Sequence, residues 1–145
     1  MNAILTATTS ANLNFGTAIS PSVGSVTIAT GAAPSATGQT LGAISLSHNS
    51  DFSTAVTSAP TYLQQGADQL PVTFACAYST SATGAIVAGS GAACSAMPNR
   101  TVTTLGTTQT TVLQVGGTLT VPAGVAPGTY TAPSAISFLF TAITT

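Results

Sequence analysis

Asp51, Asp68 and Arg100 are the only side chains with a formal charge among 145 residues. A soluble domain is ordinarily roughly one-quarter charged. The polar surface of this chain must therefore be built from Thr and Ser hydroxyls, and Thr, like Val, is β-branched and favours strands. Eight prolines and fourteen glycines are scattered along the sequence and break any long helix. No helical stripe of apolar residues is legible. Apolar residues make up 44% of the chain, enough to bury a core, so this is not a charge-rich disordered sequence. The length suits one domain.

The same shortage narrows function. Most enzyme mechanisms need acids, bases or metal ligands, and this chain offers almost none, so no catalytic residue, cofactor or metal site is expected. Nucleic-acid binding needs clustered Lys and Arg, and Arg100 stands alone. The most apolar late stretch, residues 135–143, has about half of the roughly 20 residues that a membrane helix needs. No basic residue precedes Arg100, so no signal-peptide n-region is legible and the chain reads as a mature form. A net charge near zero favours association. The composition is that of building material rather than of a catalyst. With so little to titrate, stability is expected to vary little between about pH 3 and pH 7.

Short alternating segments separated by turn residues recur along the chain. Ala3, Leu5 and Ala7 share one parity, and Leu13-Asn14-Phe15-Gly16 follows almost at once. Residues 23–30 read as a strand with Val26 and Ile28 on one face. In residues 72–78, Val72, Phe74, Cys76 and Tyr78 alternate cleanly with small residues. Residues 79–91 are small and Gly-rich and read as a mobile loop. Residues 100–104 and 110–115 are two further strands. Gly116-Gly117 suits a bend or bulge, with Leu113, Val115, Leu119 and Val121 keeping one parity across it. A final strand is expected within residues 130–143, with Ile136, Phe138, Phe140 and Ala142 on one face. The expectation is an all-β fold, an antiparallel β-sandwich of about seven to nine strands. Phe15, Phe74, Phe138 and Phe140 are its expected core aromatics.

Few residues invite a chemical reading. Cys76 and Cys94 are the only cysteines, and a pair in a secreted all-β chain is most simply a disulfide. Free thiols and a metal site are the alternatives, but zinc takes four ligands and only His48 is at hand to join the two sulfurs. His48, Ser50 and Asp51 invite comparison with a hydrolase triad, yet they crowd into one polar stretch that reads as a turn. Asn99-Arg100-Thr101 matches the N-glycosylation acceptor pattern. Tyr62, Tyr78 and Tyr130 suit a sugar-binding surface or, more simply, core and corner positions.

Three segments together carry a resemblance. They are Leu13-Asn14-Phe15-Gly16-Thr17, Gly116-Gly117-Thr118-Leu119-Thr120-Val121-Pro122 and Pro127-Gly128-Thr129-Tyr130-Thr131. The sequence resembles the pilin-like domains related to spore coat protein U of archaic chaperone–usher pili. It is closer still to an uncharacterised sister family of bacterial surface domains. The resemblance implies an immunoglobulin-like sandwich at residues 11–145, exported to the cell surface and polymerised with copies of itself. It further implies a periplasmic chaperone and an outer-membrane usher as partners. In such pili each subunit lacks a strand, which the next subunit's N-terminal extension supplies. Here residues 1–10 are the candidate donor strand, with Ala3, Leu5 and Ala7 facing a neighbour's groove and Thr6 and Thr8 facing out. Folding back would require a turn within residues 9–12, which hold no Gly or Pro, so an outward path is expected, with self-complementation within one chain as the alternative. A monomeric secreted adhesin or carbohydrate-binding module and a virion decoration protein are the alternative functions.

Overall fold

A computed structural model describes residues 5–11, 13–15, 24–31, 39–81, 83–87, 89–101, 107–121 and 136–143. The chain is all-β and antiparallel, a β-sandwich as expected. The described residues form eleven strands rather than seven to nine: β1 (Leu5–Ala11), β2 (Asn14–Phe15), β3 (Gly24–Ile28), β4 (Gln39–Thr40), β5 (Gly42–His48), β6 (Asp51–Ser58), β7 (Tyr62–Gln65), β8 (Asp68–Ser79), β9 (Ala92–Ala93), β10 (Gln109–Val121) and β11 (Ser137–Ile143). The excess comes from three two-residue pieces, β2, β4 and β9. One 3-10 turn, Cys94–Ala96, is the only helical element described.

The large sheet has the order β1-β5-β10-β8-β7, with β3 also on β10 and β9 also on β8. Its centre is β10, a single thirteen-residue strand whose residues 111–117 are buried on both faces. The strand expected at residues 110–115 thus continues through Gly116-Gly117 to Val121. Its pairing with β8 runs from Val112↔Ser79 to Leu119↔Val72 without a register shift, so Gly116-Gly117 makes no bulge there.

The glycines serve a different need. On its other side β10 changes partner: Val115 pairs with Gly42, the first residue of β5, and Gly117 pairs with Ile28, the last residue of β3. Gly116 sits at the junction, where an added Cβ would collide with the Ile28 carbonyl. Gly42 is nearly as confined, since a Cβ there would lie 3.1 Å from the Leu13 nitrogen and 3.2 Å from Val115 Cβ. Two chain segments approach one central strand here, and only hydrogen fits between them.

A second layer, β6 with β11, covers one half of the large sheet. Alternation aims Phe138 and Phe140 inward and leaves Leu139 55% exposed. The core has two clusters. One gathers Leu46, Phe52, Cys76, Tyr78, Cys94, Leu113 and Val115. The other gathers Ile28, Leu41, Leu70, Val72, Leu119 and Val121. Leu13 and Phe74 pack against both. The expected core aromatics are therefore peripheral: Phe74, Phe138 and Phe140 are half-buried, and the Phe15 side chain lies outside the described residues. Phe52 and Tyr78 are the largest fully buried side chains. They sit on opposite layers, edge to face with ring centroids 5.6 Å apart, an arrangement the aromatic quadrupole favours.

Candidate assembly site

The N-terminal segment is held in an unusual way. β1 lies antiparallel on β5 of its own chain, from Leu5↔His48 to Ala11↔Ala43, with an irregularity between Thr9 and Ala11. Within a single chain the segment thus folds back on its own subunit, the self-complementing alternative to the outward path. No turn within residues 9–12 is needed, because Asn14↔Thr40 in the β2–β4 pair continues the register of Ala11↔Ala43.

Leu5 is half-buried against the core, whereas Thr6, Ala7, Thr8 and Thr9 are all exposed. On its own chain Ala7 is as exposed as Thr6 and Thr8, and Ala3 lies outside the described residues. β11 lies against β1, yet Ala7, opposite buried Leu46, stays in solvent. Beyond the irregularity, Leu13 is wedged between both core clusters. The segment is anchored at Leu13 and held above it by backbone bonds and Leu5.

Two edges of the sandwich share a further property. Among the described residues β1 pairs only with β5, and β11 only with β6. Their sequences, LTATTSA and SFLFTAI, contain no charge and no proline. Natural edge strands are normally blunted by charges, prolines or covering loops.

The end of the sandwich nearest Leu5 is locked by a buried polar chain. His48, fully buried, sits where the chain passes from β5 in one sheet to β6 in the other. Its Nδ1 is 2.9 Å from the Ser50 carbonyl, which only accepts, so Nδ1 donates. Its Nε2 is 2.7 Å from Thr111 Oγ1. Arg100 Nε donates to that same hydroxyl at 3.1 Å, and the Thr111 proton is left for Nε2. The Arg100 backbone exchanges two bonds with Phe52. The turn reading of residues 48–51 holds, and the Asp51 carboxylate plays no part in a triad: His48 is committed to a backbone carbonyl and to a threonine of another strand.

Tyr78 provides a second lock. Its hydroxyl donates to the Pro98 carbonyl and pairs with Thr54 Oγ1, both at 2.7 Å. Burial raises the phenol above its usual range, against smaller lowering effects from the Thr54 hydrogen bond and the Arg100 charge.

Cys76 and Cys94 form a disulfide, both buried, joining β8 to the 3-10 turn. It is not the sole fastening of the intervening loop, which departs from the expected mobile segment. Gln114 on β10 is fully buried and reaches across it. Its Nε2 donates to the carbonyls of Ser81 and Gly84, each at 3.0 Å. Its Oε1 accepts from the Gly31 amide at 2.7 Å. Ser90 Oγ adds bonds to the Val87 carbonyl and the Tyr78 amide. Sequence reading missed Gln114, because a glutamine at an outward position of an alternating strand reads as solvated. Asn99 and Thr101 of the glycosylation pattern are exposed. Among the described residues no three His, Cys, Asp or Glu side chains gather as a metal site, and no helix is long and apolar enough to cross a membrane.

Residues 5–138 match the family described as a domain of unknown function, DUF4402. The match covers most of the chain, which therefore belongs to that family. No curated protein and no solved structure matches significantly.

Proposed function

We propose that this chain is a structural subunit of an extracellular bacterial filament, polymerised by exchange of β1 between copies. The observation that carries the reading is the way β1 is held. Four consecutive residues, Thr6 to Thr9, are exposed on their own subunit. Releasing the strand costs mainly its backbone bonds to β5, and the same bonds re-form on the β5 of a neighbour. Such like-for-like exchange is a low-cost route to assembly, with main-chain bonds supplying the affinity. The uncharged, proline-free edges of β1 and β11 favour association over dispersal. The likeness to pilin-like domains related to spore coat protein U supports an immunoglobulin-like subunit placed at the cell surface. Export through a chaperone and usher belongs to the same reading, as does the lack of catalytic residues and cofactors.

Removing residues 1–10 tests it, since Leu13 and the core stay in place. The truncated protein is expected to remain a folded monomer, and a peptide of residues 1–10 is expected to bind it. Fibres of normal length from the truncated protein, seen by negative-stain microscopy, would rule the exchange out.

A further inference from the structure

Of the three tyrosines that suit a sugar-binding surface, Tyr78 is committed to the core and Tyr130 lies outside the described residues. Tyr62 is placed differently. Leu63 of β7 and Leu70 and Val72 of β8 belong to the core, and Leu63 pairs with Leu70. Side chains alternate along a strand, so Tyr62, Gln64, Gln69, Pro71 and Thr73 take the opposite, outer face of the large sheet. There Tyr62 stands directly across from Pro71, and Gln64 across from Gln69. All five are half-buried or exposed. The face continues over β10 and β3, where Thr118 pairs with Thr73 on one side and with Thr27 on the other. The Thr27 and Thr118 hydroxyls lie 3.2 Å apart. This open part is four strands wide, roughly 14 Å at the spacing of neighbouring strands. Nearer the start of β10 the same face is closed by the loop that Gln114 holds through Ser81 and Gly84.

The chemistry of this open part is narrow. None of the three charges lies on it: Asp51 opens β6 in the second layer, Arg100 bridges to Phe52 of that layer, and Asp68 has the parity of Leu70. Nor does it carry an exposed large aliphatic side chain among the described residues, since Leu139 is on the second layer and Ile86 is in the loop beside Ser79. Its apolar surface is one aromatic ring and one proline, bordered by two amides and threonine hydroxyls. We infer that this part of the sheet binds a neutral polysaccharide chain, with Tyr62 as the ring on which a sugar stacks. A pyranose has an apolar C–H face that suits the negative face of an aromatic ring. Its rim is hydroxyl groups, and a side-chain amide offers them both a donor and an acceptor. An anionic polysaccharide would call for Lys or Arg, and a protein partner for a larger apolar centre. An open sheet face accepts an extended chain, whereas a small ligand needs a concave pocket. The inference goes beyond the filament reading and does not depend on it; in a filament the platform repeats with every subunit and adds avidity.

Immobilised neutral hexasaccharides of glucose, mannose, galactose and N-acetylglucosamine test this, with alginate as the anionic control and the full chain passed over each. The parent is expected to bind at least one neutral probe in preference to alginate. Tyr62→Ala is expected to weaken that binding about tenfold, the scale of a truncated aromatic anchor, whereas Tyr62→Phe keeps the ring and retains it. Gln69→Ala is expected to weaken it about fivefold, the scale of one hydrogen bond. Gln69 is exposed, so this second variant reports on the platform even where Tyr62→Ala disturbs the fold. Leu139→Ala, on the other layer, is expected to leave binding unchanged. Absence of binding to every neutral probe overturns the inference, as does a preference for alginate. Binding that Tyr62→Ala and Gln69→Ala leave intact overturns it too. Loss of self-assembly in these two variants, with no sugar bound by the parent, overturns it in favour of a contact between copies.

Discussion

Tyr78 concentrates the dependence of this fold on single groups. Its hydroxyl satisfies the Pro98 carbonyl and the Thr54 hydroxyl in a buried setting. Tyr78→Phe leaves both without that partner, and a loss of about 1–3 kcal/mol is expected in denaturant titrations at neutral pH. The same residue sets an alkaline limit. Burial raises its folded value above the unfolded one, so the neutral phenol is favoured in the native state. That stability is fully present below the unfolded value of about 10 and is lost as pH rises through the higher folded value. Melting temperatures of the parent should fall in this window, whereas Tyr78→Phe should lose less there. Equal alkaline losses in both proteins would contradict the assignment. The disulfide is a second residue-scale case. Replacing Cys76 and Cys94 by alanine is expected to cost about 2–5 kcal/mol. The far-UV β signature should survive, because Gln114, Ser79 and Ser90 still fasten the loop. Loss of β structure in that variant would show the loop bonds to be insufficient.

Among the elements, β10 organises the molecule, and its glycines are where it is most vulnerable. Gly116→Ala drives a methyl against the Ile28 carbonyl, so β3 or β10 must shift. Overpacking of this kind costs about 1–3 kcal/mol, and the amides of β3 should lose more hydrogen-exchange protection than those of β8. Equal loss along both neighbours would place the strain elsewhere. Much of this layer was legible in the sequence. The alternation of Val72, Phe74, Cys76 and Tyr78 marks the inner face of β8. Leu113, Val115, Leu119 and Val121 mark that of β10. The partner switch at Gly116 was not legible, since alternation fixes which face a residue takes but not which strand lies beside it. The burial of Phe52 was hidden for a related reason. It stands in a segment of Ser, Thr, Ala and Val, and its edge-to-face contacts with Tyr78, His48 and Phe140 are what distinguish it. In β1, parity sets Leu5 apart from Thr6 and Thr8, but it could not reveal that Ala7, on the same face as Leu5, is exposed.

At the scale of the whole molecule, stability rests on apolar burial, hydroxyl and amide hydrogen bonds and one disulfide. With two carboxylates in 145 residues, few protons are taken up on acid unfolding. Melting temperatures at about pH 3 and pH 7 are therefore expected to lie within a few degrees of each other; a gap of tens of degrees would defeat this. The bridge between Arg100 and Phe52 has a further consequence, for proteolysis. Arg100 is the one residue after which a trypsin-like protease can cut, and its backbone N–H and C=O are both bonded to Phe52, so the peptide cannot extend into a protease cleft without local opening. Digestion of the native protein should be slow. Once it occurs, it should yield fragments 1–100 and 101–145 that no covalent bond joins, because Cys76 and Cys94 lie in the same fragment. The two should still travel as one particle, since β10 of the second is flanked by β5, β3 and β8 of the first and β11 is zipped to β6. A nicked copy would carry one new α-amino group, the sole chemical handle of that kind in the interior of a lysine-free chain.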